Sequence, residues 1–218
     1  MSDALTFDNL TCWEEVTPFT CRVAPGAMAV ILTPKDEYNN DLARLLLGLM
    51  APQAGRVELF GREPDRLNER ESRELRRRIG TLAAAGGLIS NLKVWENLLL
   101  PAQYHRRIPR EGLAVAGREA LRRVGYQGQE MALPGLINLF QRKQVGFARA
   151  LLLDPDLMIY ESLHFGLNQR ERNLLLAIAR EFHGEKAGRT TLFLSSDPGL
   201  PRLVPEAEVH YLTKGLQP

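Results

Sequence analysis

The chain has 218 residues and 24.5 kDa, which suits one large domain or one domain with a small subdomain. It is 44% hydrophobic and 25% charged, a globular balance that excludes a disordered tail protein. Its 28 Lys and Arg against 26 Asp and Glu leave a formal net charge of +2, so charge gives no reason to expect a nucleic-acid partner. Cys12 and Cys21 make neither a metal-ligand spacing nor a disulfide framework. The N-terminus MSDALTFDNL lacks a basic-then-apolar leader, and no apolar run approaches the roughly 18 residues of a membrane span. These features predict a soluble, cytosolic protein.

In chain order, Leu5 to Thr11 alternates in polarity and reads as a strand. Pro25-Gly26 marks a turn, and the unbroken apolar run Ala27 to Leu32 suits a strand buried on both faces. A polar stretch, Thr33 to Asn40, leads into a predicted helix over Leu42–Met50 that packs Leu45, Leu46 and Leu49. Gly55 to Gly61 reads as a strand between glycines, and Arg66 to Arg78 as an exposed, charge-laced helix. Ile79 to Ala84 is a further short strand. Helices are predicted over Asn91–Leu100 and Glu111–Val124, with Pro101 and Pro109 punctuating their connection.

Gln141 to Leu153 is a strong helical pattern, with Val145, Ala148, Leu151 and Leu152 spaced at three and four. Leu157 to Tyr160 is another buried strand, followed by an amphipathic helix over Arg170–Phe182 with Leu174, Leu175 and Ile178 on its apolar face. Thr190–Leu194 and Val209–Leu212 complete the strands. Buried strands alternating with helices predict an α/β fold with a mostly parallel sheet.

Several stretches, in order, resemble the nucleotide-binding subunits of ATP-binding cassette (ABC) transporters over nearly the whole chain. Val23-Ala24-Pro25-Gly26 and the following strand resemble the entry to a phosphate-binding loop. Leu45-Leu46-Leu47-Gly48-Leu49, Gly55-Arg56-Val57 and Gly61 resemble the segment beyond it. Gln141 to Pro155 (QRKQVGFARALLLDP) is similar to the helix after the family's signature loop. The resemblance implies a single P-loop NTPase-like domain spanning residues 1–218. It would carry a mostly parallel sheet, an antiparallel β subdomain and an inserted α-helical subdomain at approximately residues 86–140.

The positions on which the family's chemistry depends are altered. A phosphate loop needs GxxxxGK followed by Ser or Thr, so that backbone amides wrap the phosphates, Lys meets the terminal ones and a hydroxyl holds magnesium. Counting back from Leu45-Leu46-Leu47-Gly48 puts Thr33 at the first glycine, Tyr38 at the second, Asn39 at the lysine and Asn40 at the hydroxyl. Asp36 and Glu37 add carboxylates that oppose an anionic ligand, and Lys35 is the one candidate substitute clamp. At the family's second acidic motif stand Tyr160, in place of the Asp that anchors magnesium, and Glu161, at the place of the catalytic Glu. The signature LSGGQ reads Ile137-Asn138-Leu139-Phe140-Gln141, the switch histidine falls on Ser196, and the glutamine linking nucleotide to membrane partner falls on Ala84. Trp13 is the candidate for the aromatic that stacks on adenine.

The resemblance therefore implies a degenerate subunit with no catalytic residue and no metal, and with neither ATP nor magnesium as cofactor. Its implied role is structural or regulatory, in a membrane transport complex, with a special similarity to lipid-handling transporters. The Gly86–Asn97 stretch resembles the segment that receives the membrane-embedded permease; Trp95, Leu98, Leu99 and Leu100 either wall that groove or hold the helices together. A homodimer or a pairing with an ATPase-like paralogue follows, on the cytoplasmic face of the membrane. In such a pair each nucleotide site joins one subunit's phosphate loop to the other's signature loop, so altering both affects both sites. Two other readings stay open: an active transporter ATPase with Glu161 as base, Lys35 as clamp and ATP–magnesium bound, or a free-standing interaction protein. The old cleft could also hold another ligand, in a pocket lined by Tyr38, Trp13 and Asn39. His105, His164, His183 and His210 are scattered without ligand spacing.

Overall fold

The computed structural model describes residues 3–105 and 108–213; the side chain of His105 lies outside the described residues. Strands β1 (Leu5–Thr11), β2 (Phe19–Val23) and β4 (Ala54–Leu59) form an antiparallel sheet in the order β2-β1-β4. A five-stranded parallel sheet is ordered β5-β6-β7-β3-β8, from β3 (Met28–Leu32), β5 (Ile79–Leu82), β6 (Leu157–Glu161), β7 (Thr190–Ser195) and β8 (Glu208–Tyr211). Its helices are α1 (Asp36–Leu46), α2 (Glu69–Arg76), α3 (Val94–His105), α4 (Arg110–Arg123), α5 (Leu139–Leu151), α6 (Gln169–Gly184) and α7 (Leu200–Leu203).

Strand β3 shows why this chain needs two layers against its parallel sheet. All five of its residues are buried. Ala29 and Ile31 face one core, with Leu5 and Phe7 of β1, Leu42 and Leu45 of α1 and Ile159 of β6. Met28, Val30 and Leu32 face the other, with Val145 and Phe147 of α5, Leu98 of α3, Leu121 of α4 and Phe182 of α6. A strand apolar at every position is stable only when covered on both faces, which is the condition of a parallel sheet in an α/β layer fold. The α/β architecture anticipated from the sequence is what the chain adopts.

Local chemistry sets the helix starts. Asn68, Asn138 and Asn168 each accept from the backbone N–H three residues on, while Glu71, Gln141 and Glu171 reach back to the cap residue's N–H. These reciprocal capping boxes satisfy donors that a helix otherwise leaves open.

The structure departs from the sequence expectation at several places. Helix α1 begins at Asp36, not Leu42, because Asp36 and Glu37 suit its positive N-terminal end and Tyr38 and Asn39 are buried. Pro101 lies inside α3 instead of ending it; burial of Leu98, Leu99 and Ala102 holds the helix despite the missing N–H. On α6 the apolar face is Leu175, Leu176, Ile178, Ala179 and Phe182, whereas Leu174 is exposed. Strand β2, whose Phe19, Cys21 and Val23 point inward, has only five residues and no strong flanking signal. Both cysteines are buried and free.

The segment from Gly86 to Asn97 is organised by one buried amide. Asn97 accepts from the Ile89 N–H at 2.7 Å and donates to the carbonyls of Ile89, Leu92 and Lys93 at 3.0, 2.8 and 3.2 Å. Gly86 adopts φ +89°, and a Cβ there would sit 2.4 Å from the Arg142 carbonyl oxygen, so only glycine fits. Asn97→Ala leaves these backbone groups without their partner and is expected to cost about 2–4 kcal/mol, measured as a lowered midpoint in urea with unchanged slope.

Candidate functional site

The parallel sheet brings four distant stretches to one edge. Thr33–Lys35 follows β3, Ala83–Ala85 follows β5, Ser162 follows β6 and Ser196 follows β7. The carboxyl ends of parallel strands are where ligands bind in open α/β sheets. Here the polar side chains at those ends bond chiefly to one another.

Asn39 is 2% exposed and fully engaged. Its Oδ1 accepts from Thr33 Oγ1 at 2.7 Å, and its Nδ2 donates to Asp36 Oδ1 and to Ser162 Oγ, both at 3.1 Å. Asp36 Oδ1 also accepts from Ser162 Oγ at 3.1 Å and from Ser196 Oγ at 2.7 Å. On the outer side of α1, Tyr38 is buried with its ring 4.6 Å from that of Trp13, and Trp13 Nε1 donates to Asp41 Oδ2 at 3.0 Å. Lys35 Nζ and the Tyr38 hydroxyl both donate to Glu15. Lys35 is thus an exposed ion-paired residue whose ammonium is held protonated by Glu15; burial, then Glu15, raise the Tyr38 phenol above its ordinary range.

A cavity of about 360 Å³ lies beside this network, lined among others by Asn39, Asn40, Ala84, Glu161, Ser162 and Phe165. Of the pocket expected from Tyr38, Trp13 and Asn39, only Asn39 lines it; the two aromatic rings pack on each other instead. Glu161 is buried, and its Oε2 accepts from Asn40 Nδ2 at 3.4 Å. Burial pushes the Glu161 carboxyl above the usual range, and the Asn40 bond opposes that shift.

Beneath Glu161 the strand end is aromatic. Tyr160 is wholly buried, stacked 5.0 Å from Phe193 and edge-on 5.3 Å from Phe147. Its hydroxyl has no hydrogen-bond partner among the described residues, and burial drives the phenol far above its ordinary range. No group of three or more His, Cys, Asp or Glu among the described residues could hold a metal ion.

A sequence profile of the ABC transporter family matches residues 41–161, more than half of the chain. The chain belongs to the ABC transporter family. It is 26% identical over 201 residues to the probable ribonucleotide transport ATP-binding protein mkl of Mycobacterium leprae, covering 92% of this chain and 57% of that protein. To the intermembrane phospholipid transport system ATP-binding protein MlaF of Haemophilus influenzae it is 25% identical over 195 residues, covering 89% and 70%. The chain spans little more than half the length of the mkl relatives. Its fold superposes on the dimeric ATP-binding cassette MJ0796 in a post-hydrolysis state bound to ADP and Pi, with TM-score 0.83, 20% identity and coverage of 96% and 94%.

Within this ABC fold, the match opens one residue beyond the 33–40 stretch. The signature-like stretch supplies the Asn138–Gln141 capping box of α5, at 2.8 and 3.1 Å. Sequence reasoning missed Lys143, two residues further on. Its side chain is fully buried, and Nζ donates to the carbonyls of Ser162, Leu163 and Phe165 at 2.8, 2.9 and 2.9 Å. Burial lowers its pKa to about 8. A lysine in an otherwise apolar helix face was the available signal. Asp36 was read only as an electrostatic obstacle, because its three donors come from residues up to 160 positions away.

The remaining candidates disperse. His164 Nε2 bonds Asp197 Oδ2 at 2.7 Å, His183 Nδ1 bonds Thr191 Oγ1 at 3.0 Å, and His210 lies 3.5 Å from Glu208. Trp95 and Leu99 line a groove of about 950 Å³ with Ile108 and Leu113, while Leu98 is core and Leu100 is exposed. No helix among the described residues is long and apolar enough to cross a membrane.

Three substitutions test this description of the β6 end. Tyr160→Phe removes an unpartnered buried hydroxyl and is expected to be neutral or to stabilise by about 1 kcal/mol; Tyr160→Asp buries a carboxylate in an aromatic cluster and is expected to cost more than about 4 kcal/mol, both by denaturant titration. Because the folded pKa of Glu161 is raised, its stabilisation is present below the unfolded carboxyl pKa and is lost as pH rises through the folded value. Glu161→Gln is therefore expected to match the parent near pH 4 and to exceed it by about 1 kcal/mol at pH 8, read from melting curves at both pH values.

Proposed function

We propose that this chain is a cassette-fold subunit of a membrane transport complex that does not turn over ATP and serves a structural or regulatory role. The observation that carries this reading is the closure of residues 33–40 by their own side chains. Asn39, where the family's lysine would stand, is engaged at both ends by Thr33, Asp36 and Ser162. Lys35, the one candidate substitute, is paired with Glu15.

The β6 end supports the same reading. Magnesium chemistry needs a carboxylate beside the phosphates, and residue 160 is a tyrosine stacked in the core. Losing one oriented electrostatic contact commonly costs about 3 kcal/mol, roughly a hundred- to a thousandfold in rate. The losses here concern the lysine, the hydroxyl and the metal ligand together, and Glu161 by itself would supply only a general base. Such effects need not add, yet they leave little turnover.

The partner in this reading is a membrane-embedded permease, received at the Gly86–Asn97 segment on the cytoplasmic face, with a second cassette-like subunit beside it. The similarity to MlaF, an intermembrane phospholipid transport system ATP-binding protein, favours a lipid as cargo. Calorimetric titration of the purified protein with ATP and magnesium into the millimolar range is expected to give no saturable heat and no thermal stabilisation. Saturable binding, with turnover that Glu161→Gln abolishes while binding is retained, would instead establish an active, atypical ATPase. Co-purification with a permease from solubilised membranes separates a transport subunit from a free-standing interaction protein.

A further inference from the structure

We infer that Asp36 is a built-in anion that takes over the bridging task of a bound phosphate, tying the strand ends together without a ligand; this rests on the non-nucleotide reading above. One oxygen, Asp36 Oδ1, accepts from three side chains on three elements. They are Asn39 Nδ2 on α1 at 3.1 Å, Ser162 Oγ after β6 at 3.1 Å and Ser196 Oγ after β7 at 2.7 Å. Convergent donors from separate strand ends, at the first turn of a helix whose dipole favours negative charge, form the environment in which a phosphate oxygen is held. Here the negative charge is supplied by the chain.

A second observation shows what this anion organises. Ser162 has φ +44°, a left-handed conformation rarely adopted by a residue with a side chain. Such a residue persists only where its surroundings over-determine it. Its hydroxyl is tied to Asp36 and Asn39, its N–H donates to the Leu194 carbonyl at 2.8 Å, and its own carbonyl accepts from Lys143 Nζ at 2.8 Å. Lys143 also takes the carbonyls of Leu163 and Phe165. The loop after β6 is thus held between a carboxylate on α1 and a buried ammonium on α5. Both groups belong to the polypeptide, so the loop keeps one geometry whatever the nucleotide supply.

The exposed position of Asp36 makes the idea testable by chemical replacement, since a small anion can reach the vacated place. Native-state hydrogen exchange is followed at the Ser162, Phe165 and Asp197 amides in the parent, Asp36→Ala and Asp36→Asn. Each is measured with inorganic phosphate in the tens of millimolar and with chloride at matched ionic strength. Asp36→Ala is expected to exchange about tenfold faster at these amides, with phosphate but not chloride restoring protection. Asp36→Asn, which keeps an acceptor oxygen without the charge, is expected to fall between and serves if the alanine variant folds poorly.

Unchanged exchange at these amides in Asp36→Ala overturns the inference. So does loss of protection confined to the first turn of α1, or a uniform loss that phosphate does not repair. Titration of the parent with ATP and magnesium tests the non-nucleotide reading separately: binding there removes that reading, whereas failed phosphate replacement with a silent ATP titration removes only the role of Asp36.

Discussion

The burial of β3, β6 and β7 on both faces governs the rest of this molecule. With every residue of these three strands buried, polar groups can gather only where the strands end. At the carboxyl edge they must then be satisfied by ligand, water or each other, because an unpaired buried polar group costs about 1–3 kcal/mol. In this chain Thr33, Asn39, Asp36, Ser162 and Ser196 satisfy each other, and the aromatic core extends to Tyr160 directly beneath them.

The same constraint ties Tyr38 and Tyr160 to the side chains around them. Tyr160 belongs to a cluster with Phe147 and Phe193, so a carboxylate there would face rings on two sides. Tyr38 is pinned between Trp13 and Glu15, which also holds Lys35. Each substitution is packed or bonded to a neighbour suited to it. Around the cavity at the carboxyl edge of the sheet, these side chains bond and pack chiefly to one another.

Much of the fold was legible in the sequence because its elements are signalled locally. The unbroken run at residues 27–32 marks a strand covered on both sides, and the three- and four-residue spacing of Val145, Ala148 and Leu152 marks the core-facing side of α5. That helix starts at Leu139, two residues before the expected Gln141, because Asn138 and Gln141 cap it reciprocally. Boundaries failed where tertiary packing outweighed local preference. Pro101 is carried inside α3 by its buried leucines, and α1 starts early because Tyr38 and Asn39 find buried places. The identity of the residues at the cleft, Tyr38, Asn39 and Tyr160, was readable in the same way, whereas their partners were not.

What the sequence by itself determined is therefore the α/β order of elements and, at residues 33–40, a stretch without the glycines, lysine and hydroxyl of a phosphate loop. Only the tertiary structure decided what stands in its place. Asp36, Lys143, Ser162 and Ser196 are separated by tens of residues, and no local spacing relates them. They meet because parallel strands, entered through crossovers, deliver their ends to one edge regardless of distance along the chain.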